Sequence, residues 1–106
     1  MINKLNFQNL EKNCLSCVRC SLSTSRTNVV FGRGNPKAKL FIIGEGPGQQ
    51  EDEQGMAFVG RAGKMLDSVF SSVGIDTNKD CYISNIVKCR PPNNRKPLAN
   101  EVSECI

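Results

Sequence analysis

Histidine is absent from this chain of 106 residues, so no motif that depends on an imidazole can be present in it. Long apolar runs are missing too: none approaches the ~20 residues that cross a bilayer. The start, Met1-Ile-Asn-Lys, lacks the apolar stretch of a signal peptide. These absences set the expectation of a cytoplasmic protein with no membrane partner. Two nucleotide motifs are also excluded. A phosphate loop needs Gly-x-x-x-x-Gly-Lys followed by Ser or Thr, but Gly63-Lys64 is followed by Met65, and Phe58 stands where the first glycine belongs. The dinucleotide fingerprint needs G-x-G-x-x-G, whereas Gly44, Gly46 and Gly48 run G-x-G-x-G. Internal repeats and low-complexity segments do not occur.

What is present reads as one soluble globular domain at most, with 39% hydrophobic and 23% charged residues. The formal charge of +4 permits nucleic acid as a partner without demanding it. The most informative stretch is Leu40-Phe-Ile-Ile-Gly-Glu-Gly-Pro-Gly-Gln-Gln-Glu-Asp52. An apolar strand runs into a glycine-rich turn and then into carboxylates. Such a turn lets backbone N–H groups approach a ligand closely, and the carboxyl end of a strand is where open α/β sheets bind ligands. Glu45, Glu51 and Asp52 argue against a plain phosphate cradle and for a carboxylate aimed into a pocket.

Six cysteines in so short a chain call for metal or cluster ligation rather than disulfides in a reducing compartment. Cys14, Cys17 and Cys20 form C-x-x-C-x-x-C, and Cys89 and Cys105 lie in and after a proline-rich loop. Two thiolates from the front and two from the back make a four-sulfur site that suits zinc or a [4Fe–4S] cluster, and spacing does not choose between them. Cys81, opening an apolar strand, reads as a small buried hydrophobe.

The periodicity alternates. Residues from about 4 to 14 suit a helix, 29–31 are β-prone, and 39–43 form a near-continuous apolar run like a buried parallel strand. Residues 61–73 carry Ala62, Met65, Leu66, Val69, Phe70 and Val73 on one helical face, stopped by Gly74. A second buried strand is expected over 82–87 and the start of another helix over 98–106. Strand, helix, strand is a βαβ unit with parallel strands and a right-handed crossover.

At this level of detail the chain resembles the iron–sulfur uracil-DNA glycosylases, family 4. The resemblance rests on Cys17-Val-Arg-Cys20-Ser-Leu22, Arg26-Thr-Asn-Val-Val-Phe-Gly32 and Gly44-Glu-Gly-Pro-Gly-Gln-Gln-Glu-Asp52. It continues through Gly55-Met-Ala-Phe-Val-Gly-Arg-Ala-Gly-Lys-Met-Leu66, then Tyr82-Ile-Ser-Asn-Ile-Val-Lys-Cys-Arg-Pro-Pro-Asn-Asn-Arg-Lys-Pro97, and ends at Cys105. It implies an α/β fold with a parallel sheet between helix layers (three-layer αβα), incomplete in this chain. Residues 1–106 would be the N-terminal part of a single domain, cut before the family's His-Pro loop. The missing half would be a separate chain or segment, and the protein otherwise a monomer acting on uracil-containing DNA.

The family's chemistry then assigns roles. A glycosylase takes the base out of the stack, so it needs a carboxylate near the sugar, a water for C1′ and donors toward uracil. The resemblance gives Glu51, with Glu45 as competitor, to water positioning and cation stabilisation. It turns the backbone of Gly46 and Gly48 toward uracil O2, stacks Phe58 on the base and pairs Asn85 with it. Cys17, Cys20, Cys89 and Cys105 would hold a structural [4Fe–4S] cluster, with Cys14 as an extra thiol able to compete. Arg90, Arg95 and Lys96, in a rigid exposed loop, would meet DNA phosphates. Plainer readings stand beside these: Glu51 and Asp52 as helix caps, Phe58 as core, Asn85 as a strand-end turn residue. So do two other functions, a non-catalytic cluster-carrying or nucleic-acid-binding remnant and a small zinc or ferredoxin-like protein. Without the histidine-bearing half, weak or no activity is expected.

Overall fold

Strands β2 (Leu40–Gly44) and β3 (Cys81–Asn85) pair in parallel, Leu40 opposite Cys81 through Gly44 opposite Asn85. Helix α3 (Arg61–Ser72) lies in the connection between them, so the expected βαβ unit is present. The computed structural model describes residues 7–105. Of the first predicted helix, residues 4–6 lie outside that range, and α1 is Phe7–Leu15. The last helix, α4, is Ala99–Cys105; Ile106, the end of the predicted span, lies outside the described residues. A short helix that the periodicity did not reveal, α2 (Gln49–Gln54), follows the glycine turn.

The sheet is mixed rather than wholly parallel. Its order is β1-β3-β2, with the two-residue β1 (Arg33–Gly34) antiparallel to β3. The β-prone run at 29–31 is not a strand. Val30 is fully buried, yet its backbone bonds Lys88 O (2.7 Å), beyond the end of β3. Apolar content there reports burial, not pairing.

The two faces of β3 show the layering. Successive side chains alternate across a strand. Tyr82 meets Phe7 of α1 edge-on, ring centroids 5.2 Å apart. Its neighbours Cys81 and Ile83 are buried with Val30 and Ala57, against which Leu66 and Phe70 of α3 pack. Helices therefore cover opposite faces, giving α/β/α layers. A second buried cluster, Leu22, Val29, Val87 and Cys89, lies toward the cysteines.

Burial departs from expectation at two elements. β3 is the central, buried strand, whereas β2 is an edge whose Leu40, Phe41 and Ile43 are 42%, 56% and 60% exposed. On α3, Leu66 and Phe70 turn inward, while Met65 and Val69, and Val73 just past its end, face solvent. The helix stops where predicted: Gly74, two residues beyond its end, takes the left-handed φ of 81°.

Candidate active site and cysteine pocket

The carboxyl end of β2 opens into a pocket lined by Gly46, Gly48, Glu51, Phe58 and Asn85, so the structure gathers five of the residues expected there. Its floor is Gly44. A Cβ at that position would lie 2.4 Å from Asn85 Oδ1 and 2.5 Å from Phe58 Cζ, so ring and amide converge over a residue that must be glycine. Asn85 closes β3 and is 3% exposed, and among the described residues its side-chain amide has no hydrogen-bond partner. It therefore offers an acceptor and a donor to whatever enters.

Phe58 is held by its backbone. It adopts φ 55°, a left-handed conformation unusual for an aromatic residue. Gly63 lets the first turn of α3 pass beneath it, since a Cβ there would meet the Phe58 carbonyl oxygen at 1.9 Å. The same carbonyl accepts from Arg33 Nη2 (3.1 Å). Arg33 is buried and donates four further bonds: to Ala57 O (2.7 Å), Thr77 Oγ1 (3.1 Å), Asn78 Oδ1 (2.8 Å) and Asp67 Oδ1 (2.9 Å). Burial raises the Asp67 carboxyl, but the Thr77 hydroxyl and Arg33 outweigh it and leave the group below its ordinary pKa. Nothing in the sequence marks Arg33; its partners become neighbours only on folding.

The acids divide. Glu51 accepts from the Gly48 N–H (3.0 Å), reaching back over the start of α2, and from the N–H groups of Val59 (3.0 Å) and Gly60 (2.7 Å). Asp52, 3% exposed, accepts from the backbone of Thr27 and Asn28 and ties that segment to α2. Glu51 thus makes a bond at the helix start of the kind the plainer reading expected, whereas Asp52 holds a distant segment instead of capping α2. Glu45 is exposed and lines an adjoining depression with Pro91 and Arg95. Of the turn's N–H groups, Gly48's is bonded to Glu51 and Pro47 has none, so among the described residues those of Glu45 and Gly46 are left for a ligand.

Cys14, Cys17, Cys20, Cys89 and Cys105 line a single pocket, and all six cysteines are free thiols. Two of these sulfurs carry donors suited to ligating thiolates: Arg26 Nη1 to Cys89 Sγ (3.2 Å) and Lys88 N–H to Cys105 Sγ (3.1 Å). Burial first, then the neighbouring Cys105, pushes the Cys14 thiol up to about 11. Burial likewise raises Cys89 and Cys105. The donor set fits a soft metal centre, whose positive charge would offset the thiolates formed as the thiols lose their protons. Among the described residues no three metal-binding side chains gather closely enough for a single ion. Cys81 is fully buried in the core, as the sequence indicated.

In the loop after β3, Arg95 donates to both carboxylate oxygens of Glu101 (2.8 Å each) and Arg90 Nε to Asn94 Oδ1 (2.7 Å), while Lys96 is exposed. The Glu101 carboxyl is buried, bonded also by the Leu98 N–H (2.8 Å) and Ser21 (3.3 Å).

A family model described as the uracil DNA glycosylase superfamily matches residues 31–106. The chain belongs to that superfamily. Its pocket, from the Gly44 turn through Phe58 to Asn85, lies wholly inside the matched stretch, as do Cys89 and Cys105, whereas Cys14, Cys17 and Cys20 precede it. Among curated proteins it is similar to the type-4 uracil-DNA glycosylase of Archaeoglobus fulgidus, 48% identical over 91 residues, covering 86% of this chain and 45% of that protein. The Thermotoga maritima protein of the same name is 49% identical over 89 residues, 84% of this chain and 46% of its own length. The Pyrobaculum aerophilum one is 43% identical over 102 residues, 96% and 52%. The superfamily chain thus spans about half the length of the curated relatives it matches. Among the described residues no helix is long and apolar enough to cross a membrane.

Proposed function

We propose that this chain supplies the base-recognising part of a uracil-DNA glycosylase, hydrolysing the N-glycosidic bond of uracil flipped out of DNA in the cytoplasm. The observation that supports this most is the convergence of the Phe58 ring and the Asn85 amide over Gly44. Uracil presents N3–H and O4 to an amide that accepts from one and donates to the other, and cytosine presents the opposite pattern. Stacking on Phe58 adds ~1–3 kcal/mol and tolerates any base, so selection falls to Asn85. The C1′–N1 bond breaks with its electron pair passing to uracil N1. Water then adds to the oxocarbenium-like C1′ and gives its proton to a carboxylate. Glu45 suits that task better than Glu51, because its carboxylate has no bond among the described residues while Glu51 already holds three N–H groups. Glu51 instead shapes the pocket wall, and the Gly46 N–H faces uracil O2.

Cys17, Cys20, Cys89 and Cys105 would hold a [4Fe–4S] cluster whose contribution is structural, joining the first segment to the loop after β3. Arg90 and Lys96 are the phosphate contacts of that loop, with Arg95 serving to brace it against Glu101. The uracil anion also needs a charge-stabilising partner that no histidine of these residues provides. Such a donor contributes a factor of roughly 10²–10³. It would come from the portion of the domain that the relatives have and these residues lack, in the same chain or a second one.

Uracil release from single- and double-stranded oligonucleotides tests this. The 106 residues alone should give no readily measurable excision. Adding the remaining portion of the Thermotoga relative should restore it, and Glu45→Gln or Asn85→Ala should then cut the rate by roughly 10²-fold or more. Restored excision indifferent to both substitutions sinks the site assignment. Binding of uracil-containing DNA without excision, even when complemented, would favour a non-catalytic remnant.

A further inference from the structure

On the reading above the cysteine pocket holds a group with four protein ligands, yet five thiols line it. The fifth, Cys14, stands in the last turn of α1, and its carbonyl accepts the Cys17 N–H (3.0 Å). The two residues therefore share one tight turn. Their surroundings differ in a way that the C-x-x-C-x-x-C spacing cannot reveal. Cys14, with Cys20 and Cys105, packs against the buried cluster of Leu22, Val29, Val87 and Cys89, whereas Cys17 lines the pocket without joining that packing. Cys17 is held through its backbone, where Arg26 Nη1 donates to its carbonyl (2.7 Å). Cys20 is fixed by the turn that follows it, where the Ser23 N–H bonds its carbonyl (3.1 Å) beside Leu22, 1% exposed. Cys89 and Cys105 are fixed by the donors on their sulfurs. Cys14 and Cys17 thus bring two thiols to the pocket from one turn, where a four-ligand group needs only one of them beside Cys20, Cys89 and Cys105.

We propose that Cys14 and Cys17 are interchangeable ligands at one corner of the metal site. The exchange is a ligand substitution without redox change. The Cys14 thiol gives its proton to solvent as its sulfur bonds iron, the Cys17 sulfur–iron bond breaks, and Cys17 takes up a proton. The consequence is a cluster that survives loss or oxidation of its more peripheral thiol.

The test purifies the chain anaerobically as wild type, Cys14→Ala, Cys17→Ala, Cys14→Ala/Cys17→Ala and Cys20→Ala, and measures iron, acid-labile sulfide and visible absorbance per protein. Each single change at Cys14 or Cys17 should keep most of the iron, and the double change and Cys20→Ala should lose nearly all of it. The low-temperature EPR spectrum of the reduced Cys17→Ala protein should differ in shape from that of wild type, because one iron has changed its ligand. Cys17→Val, which fills the space of the thiol and cannot ligate iron, guards against a folding artefact and should behave as Cys17→Ala. A wild type that is brown while both Cys17 variants are as iron-free as the double variant overturns the proposal and leaves the cluster reading standing. A colourless wild type loaded with zinc overturns the cluster reading instead, and zinc content across the same series then decides the shared corner. A wild type that binds neither metal overturns both.

Discussion

Arg33 uses every donor a guanidinium has, giving five bonds to five partners that lie 24 to 45 residues away in sequence. Two of them are the carbonyls of Ala57 and Phe58, so the arginine fixes the backbone that carries the Phe58 ring. Removing it strands buried acceptors without donors. Arg33→Ala should therefore cost about 1–3 kcal/mol, as leaving buried hydrogen-bond groups unpaired does, because the one ionic partner, Asp67, is 44% exposed. Arg33→Lys should recover only part, since an ammonium has three donors and no planar fork. Urea midpoints at constant m give the measurement, and a loss below about 1 kcal/mol would place the network with weak surface pairs. This is also the residue the sequence hid. Phe58, Asn85 and the glycine turn were legible because they sit in contiguous motifs. The role of Arg33 is spread over partners that only the fold brings together. Glu51 shows the converse: its place in the motif was visible, but the three backbone N–H groups it accepts from, at Gly48, Val59 and Gly60, were not.

At the scale of elements, the apolar pattern identified β2, α3 and β3 to within a few residues but misjudged which of them is covered. A run such as Leu40-Phe-Ile-Ile43 reads the same at the centre of a sheet and at its edge. Here it is the edge, with Phe41 and Ile43 more than half exposed and β3 on one side only. β1 was unreadable for another reason: two residues are too few for any period. An apolar, unpaired edge is prone to join another strand. The isolated 106-residue chain should therefore self-associate as concentration rises, and Phe41→Lys or Ile43→Lys should shift it toward monomer in light scattering. Unchanged association in both variants would show that β2 is not the sticky element.

Across the whole molecule, Glu101 draws distant segments together, taking bonds from Arg95, Leu98 and Ser21. Arg95's hydrogen bonds foremost, against the opposing effect of burial, hold its carboxyl down at about 2 rather than the usual 4.5. A depressed acid stabilises the fold above its unfolded pKa and ceases to as the pH falls through the folded one. The contribution should be complete above pH 4.5 and vanish on the way to about 2. Denaturation midpoints of wild type and Glu101→Gln should differ most near neutrality and converge in acid. A gap that stays constant with pH would mean that Glu101 acts by packing alone. The same region governs how the chain bears load. Cysteines 14 to 20 near one end and Cys89 and Cys105 near the other face a common pocket, with Arg19–Glu104 (3.4 Å) and Ser21–Glu101 (3.3 Å) alongside. Mechanically the polypeptide is a loop fastened by a clasp, and the sheet lies within the loop. Tension applied at the two ends reaches the clasp first, and β2 and β3 feel it only once the contacts of the clasp have given way.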